Sequence, residues 1–193
     1  MNVDALYHQI YELKEQLSFL RTEYWYQTSG VDTWYFWFNI ASYIVPLVIL
    51  YLFIDRRRVF EIGFFGYSIH MLWGYTNNFL SINNLLVHPH SFSFLIPVGL
   101  SVTAVILPVG FMFIYQYCTN HKKNYYFYAI LLSVLFAYGF GAFSIAVNLL
   151  ELHKWMTLTY VFLIDVMVAF LAYWLTKFFI WIGRQSTKQQ AKD

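Results

Sequence analysis

The sequence predicts an all-α integral membrane fold: a five-transmembrane-helix bundle preceded by an N-terminal amphipathic helix. Three observations predict it. The chain of 193 residues is 60% hydrophobic and 23% aromatic with only 11% charged residues, whereas a soluble domain carries about a quarter charged. Five apolar stretches, 33–54, 59–80, 92–117, 125–150 and 155–182, each reach the roughly 20 residues a helix needs to cross a ~30 Å hydrocarbon core. Within each stretch the small and polar residues keep to a single helical stripe, so the helices are expected to pack on one another. Backbone groups left unpaired in lipid cost several kcal/mol each, which favours helices in runs of this length; a barrel would need shorter, alternating strands. The links are too short for a soluble domain, so the expected organisation is an arm (1–32), one membrane domain (33–182) and a polar C-terminal tail (183–193).

The arm lacks the basic start and apolar core of a cleavable signal. Val3, Leu6, Ile10, Leu13, Leu17, Leu20 and Tyr24 recur at alternating spacings of three and four, a heptad seam, with Glu12, Lys14, Glu15, Arg21 and Glu23 off it. Such a helix lies on the membrane or on its own bundle, or it pairs with another chain, so Leu6, Ile10, Leu13, Leu17 and Leu20 form a candidate seam for self-association or for another membrane protein through residues 1–30.

The spans follow in order. Asn39, Ser42 and Pro46 form a short stripe on the first. On the second, Gly63, Gly66, His70, Gly74 and Asn77 share a face; on the third, Ser93, Pro97, Ser101, Ala104 and Pro108 do, and Pro97 and Pro108 are expected to bend the helix because each removes a helical hydrogen bond. Ser133, Ala137, Gly141, Ser144 and Asn148 align on the fourth, and Asp165, Ala169, Ala172 and Thr176 on the fifth. Lipid tails give helices no hydrophobic drive to associate, so close packing and interhelical hydrogen bonds must hold them. Gly63, Gly66, Gly74, Ala137, Gly141, Ala169 and Ala172 are therefore the expected packing positions.

Orientation comes from the basic residues. With the N-terminus outside, Arg56, Arg57, Arg58, Lys122, Lys123, Lys177, Arg184, Lys188 and Lys192 are cytoplasmic and only Lys14, Arg21 and Lys154 are outside. This reads as N-out, C-in in a cell membrane. The basic clusters serve as topological anchors and headgroup contacts, so nucleic acid is not an expected partner. Glu61, four residues after Arg57, is expected to pair with it at the inner edge.

Two ionisable side chains fall near mid-membrane on the stripes, His70 and Asp165, and intramembrane charges are functional candidates by default. A facing His70–Asp165 pair would lock the bundle or bind the polar end of a ligand, with Asn77 and Asn148 completing a candidate ligand-binding set. No cofactor is expected. His8, His88, His90, Glu151 and His153 would share the outer side, but none carries a dedicated metal-ligand spacing, so no metal site is assigned. Neither a nucleophile triad signature nor a phosphate-binding glycine loop is present, so catalytic residues are not assigned, and the single Cys118 excludes an internal disulfide.

Over roughly 40–182 the chain resembles an uncharacterised family of small multi-pass membrane proteins from Bacillus and Clostridium relatives. The matching features are Asp55-Arg56-Arg57 with Glu61-Ile62 and Gly66, then Trp73 and Tyr75, then Leu107-Pro108-Val109 leading through Met112 to Tyr115-Gln116-Tyr117 and Lys122-Lys123. The resemblance implies a Gram-positive cell membrane and no particular chemistry. The expected function is a non-catalytic binding or assembly component of that membrane. The alternative is a carrier or receptor for a small lipophilic molecule using His70 and Asp165; weaker still is an intramembrane acid/base enzyme.

Overall fold

A computed structural model describes residues 2–95 and 99–190, with side chains described to residue 185. Among the described residues the fold is all-α apart from one two-residue strand pair. Helix α1 (Val3–Thr28) begins where the Asn2 side chain accepts from the Asp4 backbone N–H at 3.2 Å. None of its residues is buried, and Leu6, Ile10, Leu13, Leu17 and Leu20 are all exposed. Helix α2 (Trp34–Phe53) is capped by Thr33. Gln116 fixes its far end: the Gln116 side chain accepts from the Asp55 N–H at 2.8 Å and donates to the Phe53 carbonyl at 3.0 Å. Asp55 caps a 3₁₀ turn over Arg56–Arg58, and α3 (Val59–Ile82) follows.

The next helix starts later than residue 92. Ser93 folds back on the Leu95 N–H, Gly99 has φ +72°, and the helix is established only from Ser101, as a wide π segment (Ser101–Ile106) that narrows into α4 (Leu107–Asn120). Pro97 lies outside the described residues. Pro108 is buried at the second position of α4, directly after the π segment, where a missing N–H has to be accommodated. Asn124 caps α5 (Tyr125–Val134), which passes through a second π segment (Leu135–Gly141) into the short α6 (Ala142–Ala146). Helix α7 (Leu158–Gln190) runs on past the expected span end at 182, since Lys, Arg and Gln are good helix formers.

Four of these rods are long and apolar enough to cross a membrane by length and composition: Trp34–Phe53, Ser101–Asn120, Tyr125–Ala146 and Leu158–Gln185. Helix α3 falls outside this group. Its Ser68, His70, Thr76, Asn77 and Asn78 lower its hydropathy, yet it occupies the centre, packed chiefly on α7 and α4. Its buried face is Ile62, Phe65, Gly66, Ile69, Trp73, Asn77 and Leu80. That face is turned from the glycine stripe towards the bulky residues, for which the α7 stripe of Ala169 and Ala172, both fully buried, leaves room in the shared core. A methyl group on Gly66 would meet Met112 Sδ at 2.2 Å, so α3 and α4 do approach closely there. Two packing assignments give way: a methyl on Gly63 would meet nothing within 4 Å, and one on Gly74 only His70 of its own helix. Gly110, not foreseen, is tighter, since its Cβ would stand 2.5 Å from Phe136.

Strands β1 (Leu86–Val87) and β2 (Glu151–Leu152) pair antiparallel, tying the loop after α3 to the loop before α7. The outward residues of the rods, among them Val45, Val48, Leu52, Phe60, Phe127, Leu131, Leu163, Leu175 and Phe178, are apolar and exposed, which suits a lipid surround.

Candidate functional site

A cavity of about 70 Å³ lies inside the bundle, between α2, α3, both π segments and α7. At roughly 15 Å³ per water it has room for about five. Its walls are mostly apolar, including Phe38, Ile106, Phe136, Phe140 and Val161, and the polar residues are Asn39, Ser42, Asn77, His88, His90, Ser101, Thr103, Ser144 and Asp165. The two π segments both face it, and each supplies wall residues, Ser101 to Ile106 on one side and Phe136 to Gly141 on the other. A π segment widens the helix and turns side chains that a regular helix would place elsewhere.

Asp165 is 1% exposed, and its partner is Trp73, whose Nε1–H donates to the carboxyl at 2.9 Å. This is the only hydrogen bond to Asp165 among the described residues. Asp165 itself forms part of the cavity wall. His70 does not face Asp165. Its Nδ1 lies 3.3 Å from the Thr103 carbonyl, to which it donates. The reason is local: in the π register Leu107 N–H bonds the Val102 carbonyl, so the next carbonyl, Thr103, falls to Pro108, which has no N–H. His70 supplies the missing donor and stands outside the cavity wall. The expected His70–Asp165 pair is thus replaced by two separate contacts, Trp73–Asp165 and His70–Thr103.

Asn77 is buried at the cavity, 3.2 Å from His88 Nε2, while His88 Nδ1 lies 3.4 Å from the Leu149 carbonyl. Burial drives the His88 pKa down to about 4, although the Leu149 carbonyl opposes this, so the imidazole is neutral at pH 7. Gly99 presses on that ring: a Cβ there would stand 2.3 Å from Nε2, and its φ of +72° already favours glycine. Asn148 takes no part. It is exposed at φ +59°, past the end of α6, a position where asparagine tolerates the left-handed turn.

The rim above the cavity is built from the arm junction. His90 stacks on Tyr35 with ring centroids 3.5 Å apart, and its Nδ1 is 2.9 Å from the Ser29 hydroxyl. Asn39 joins them to the cavity wall, accepting from Ser101 Oγ at 3.2 Å. Burial also lowers the His90 pKa, against the pull of Glu151 and a backbone contact at Thr28. Trp25 Nε1 donates to the Ser91 carbonyl at 2.8 Å, so the end of α1 is fastened here while its leucines stay free of the bundle.

At the opposite end, Glu61 pairs with Arg58, not Arg57, in a two-pronged contact at 2.7 and 3.2 Å, because the 3₁₀ turn swings Arg58 back over the first turn of α3. Tyr115 donates to the same carboxylate, and Arg58 reaches Thr119 and Asn120 at the end of α4. Asp55, Glu61, Tyr115 and Gln116, distant in sequence, thus meet in one joint. Trp73 and His88 are among the cavity residues to which the sequence assigns no ligand role, as are Asn39, Ser42, Ser101 and Ser144; a tryptophan one turn beyond His70 on a polar helix is the available signal for the first. No group of three or more histidine, cysteine or acidic residues forms a metal site among the described residues. Compared with family models, curated proteins and solved structures, the chain matches none. The resemblance to the small membrane-protein family therefore stands on the motifs alone.

Proposed function

We propose that this protein is a non-catalytic binding component of a Gram-positive cell membrane, crossing it five times with the N-terminus outside, and that its cavity takes the polar end of a small lipophilic molecule. The observation that carries this reading is Asp165: a buried carboxyl in the wall of a mostly apolar cavity, with one oxygen held by Trp73. A few placed polar groups in an apolar concavity are what orients such a ligand. Helix α3 supplies the fifth crossing. Its 24 residues extend about 36 Å, from the Arg58–Asn120 joint at one end of the bundle to the β1–β2 pair at the other. Its Ser68, His70, Thr76 and Asn77 side chains bond to its own carbonyls or to its neighbours, which spares lipid their contact. The exposed leucines of α1 support the assembly half of the reading, contact with a second chain through the arm.

One preparation tests both halves. The full chain is extracted in a mild neutral detergent, its native mass is measured, and its small molecules are extracted and identified by mass spectrometry. A co-purifying lipophile that is depleted in Ser42→Phe, which fills the cavity, and in Asp165→Leu supports binding. Equal amounts in all three proteins, or none in the wild type, sinks it. A native mass of one chain overturns self-association.

A further inference from the structure

A second cavity, about 360 Å³, opens at the Arg58–Asn120 end of the bundle, lined by Arg58, Lys122, Lys123, Lys177 and Arg184, with Glu61 as its one carboxylate among the described residues. Three separate stretches of chain deliver these charges: the 3₁₀ turn before α3, the α4–α5 turn, where Lys122 takes φ +54°, and α7, where Lys177, Ile180 and Arg184 share one face at spacings of three and four. Glu61 is already engaged by Arg58 and Tyr115. The ion pairs among the described residues are Arg58–Glu61 and Glu151–His153, so Lys122, Lys123, Lys177 and Arg184 face the opening with no carboxylate in contact. Lys177 is additionally held in place: its Nζ lies 5.2 Å from the centroids of both Tyr115 and Tyr173 and donates to the Tyr115 hydroxyl at 3.3 Å.

We propose that this cavity is a binding site for a phosphate-bearing anion. Cations converging from three stretches of chain repel one another unless an anion sits between them, and arginine with lysine matches phosphate oxygens by charge-assisted hydrogen bonds. The position, at the end of the apolar rods, is where basic pockets between membrane helices receive anionic headgroups. The same chemistry serves a soluble phosphate. This site is separate from the Asp165 cavity, so either can fail without the other.

The test uses the full-length protein in phosphatidylcholine nanodiscs, titrated in one arm with phosphatidylglycerol and in the other with inorganic phosphate, binding being read by native mass spectrometry. The expected result is preferential retention of phosphatidylglycerol or of phosphate; the arm that responds identifies the source. At about 1 kcal/mol per basic residue near an anionic surface, each lost charge weakens binding roughly fivefold. Lys177→Gln with Arg184→Gln should therefore weaken it by more than tenfold, Arg184→Lys should retain it, and Arg56→Gln with Arg57→Gln, outside the cavity, should change it little. Should Lys177→Gln fail to fold, the exposed Arg184→Gln alone and Lys122→Gln with Lys123→Gln carry the same comparison. Binding of neither probe, or equal losses in the Arg56/Arg57 and cavity variants, overturns the proposal.

Discussion

Removing the Trp73 indole donor is the sharpest perturbation of the membrane interior. Trp73 on α3 and Asp165 on α7 are 92 residues apart, both are almost fully buried, and the bond between them is 2.9 Å. Leaving a buried acceptor without its partner costs about 1–3 kcal/mol. The adjoining cavity of about 70 Å³ admits water to the deserted oxygen, which places the cost of that bond at the low end, near ~1 kcal/mol. Measured interhelical hydrogen bonds in membranes agree, averaging ~0.6 and reaching ~1.7 kcal/mol. The assay is a double-mutant cycle of Trp73→Phe and Asp165→Leu, with unfolding followed in mixed detergent micelles. Trp73→Phe loses ring packing as well, a loss shared by the double variant and cancelled by the cycle. A coupling of about 0.6–1.7 kcal/mol is expected, and Asp165→Asn, whose amide oxygen still accepts from the indole, should retain most of it. If the two changes simply add to within ~0.3 kcal/mol, the bond does not join α3 to α7 and the assignment of Trp73 is refuted.

Two further outcomes follow from the same geometry. His70→Leu leaves the Thr103 carbonyl without a donor and should cost about 1–3 kcal/mol, whereas in a Pro108→Ala background, where a backbone N–H returns, the cost should shrink by at least half; an undiminished cost would show that His70 does not serve that carbonyl. For His88, the folded-state pKa of about 4 lies below the ordinary 6.5, so the unfolded chain takes up the proton first as pH falls. The stabilisation is complete above pH ~6.5 and is lost progressively towards pH ~4, by up to about 3 kcal/mol before solvent screening. His90 shifts in the same direction and adds to the slope. Unfolding measured between pH 7 and pH 4 should flatten in His88→Gln, and an identical pH profile in that variant would remove His88 as its source.

Some of the site was written in local spacing. Ala137, Gly141 and Ser144 of the fourth stripe and Asp165, Ala169, Ala172 and Thr176 of the fifth all come out buried, because one stripe at helical spacing has only one inward direction when the rest of the helix is bulky. Helix α3 misled for the opposite reason. Lying at the centre, it buries large side chains on one face and keeps small ones on another, so the glycine stripe did not mark its most buried side. Asn148 was counted along a helix that had already ended at Ala146. The late start of the third span was signalled by its serines, Pro97 and Gly99, but apolar length outweighed them.

By itself the sequence determined the solvent and the rods: an apolar, charge-poor chain must satisfy its backbone within each segment, and that requirement is local. Helical periodicity also determined which residues share a face. Tertiary structure alone decided how far each helix turns about its axis, since that rotation is set by bulky side chains on one rod finding small ones on another. The indole at Asp165, the histidine under the proline-orphaned carbonyl and the five cations around one opening all depend on that rotation. No spacing within a single segment encodes it.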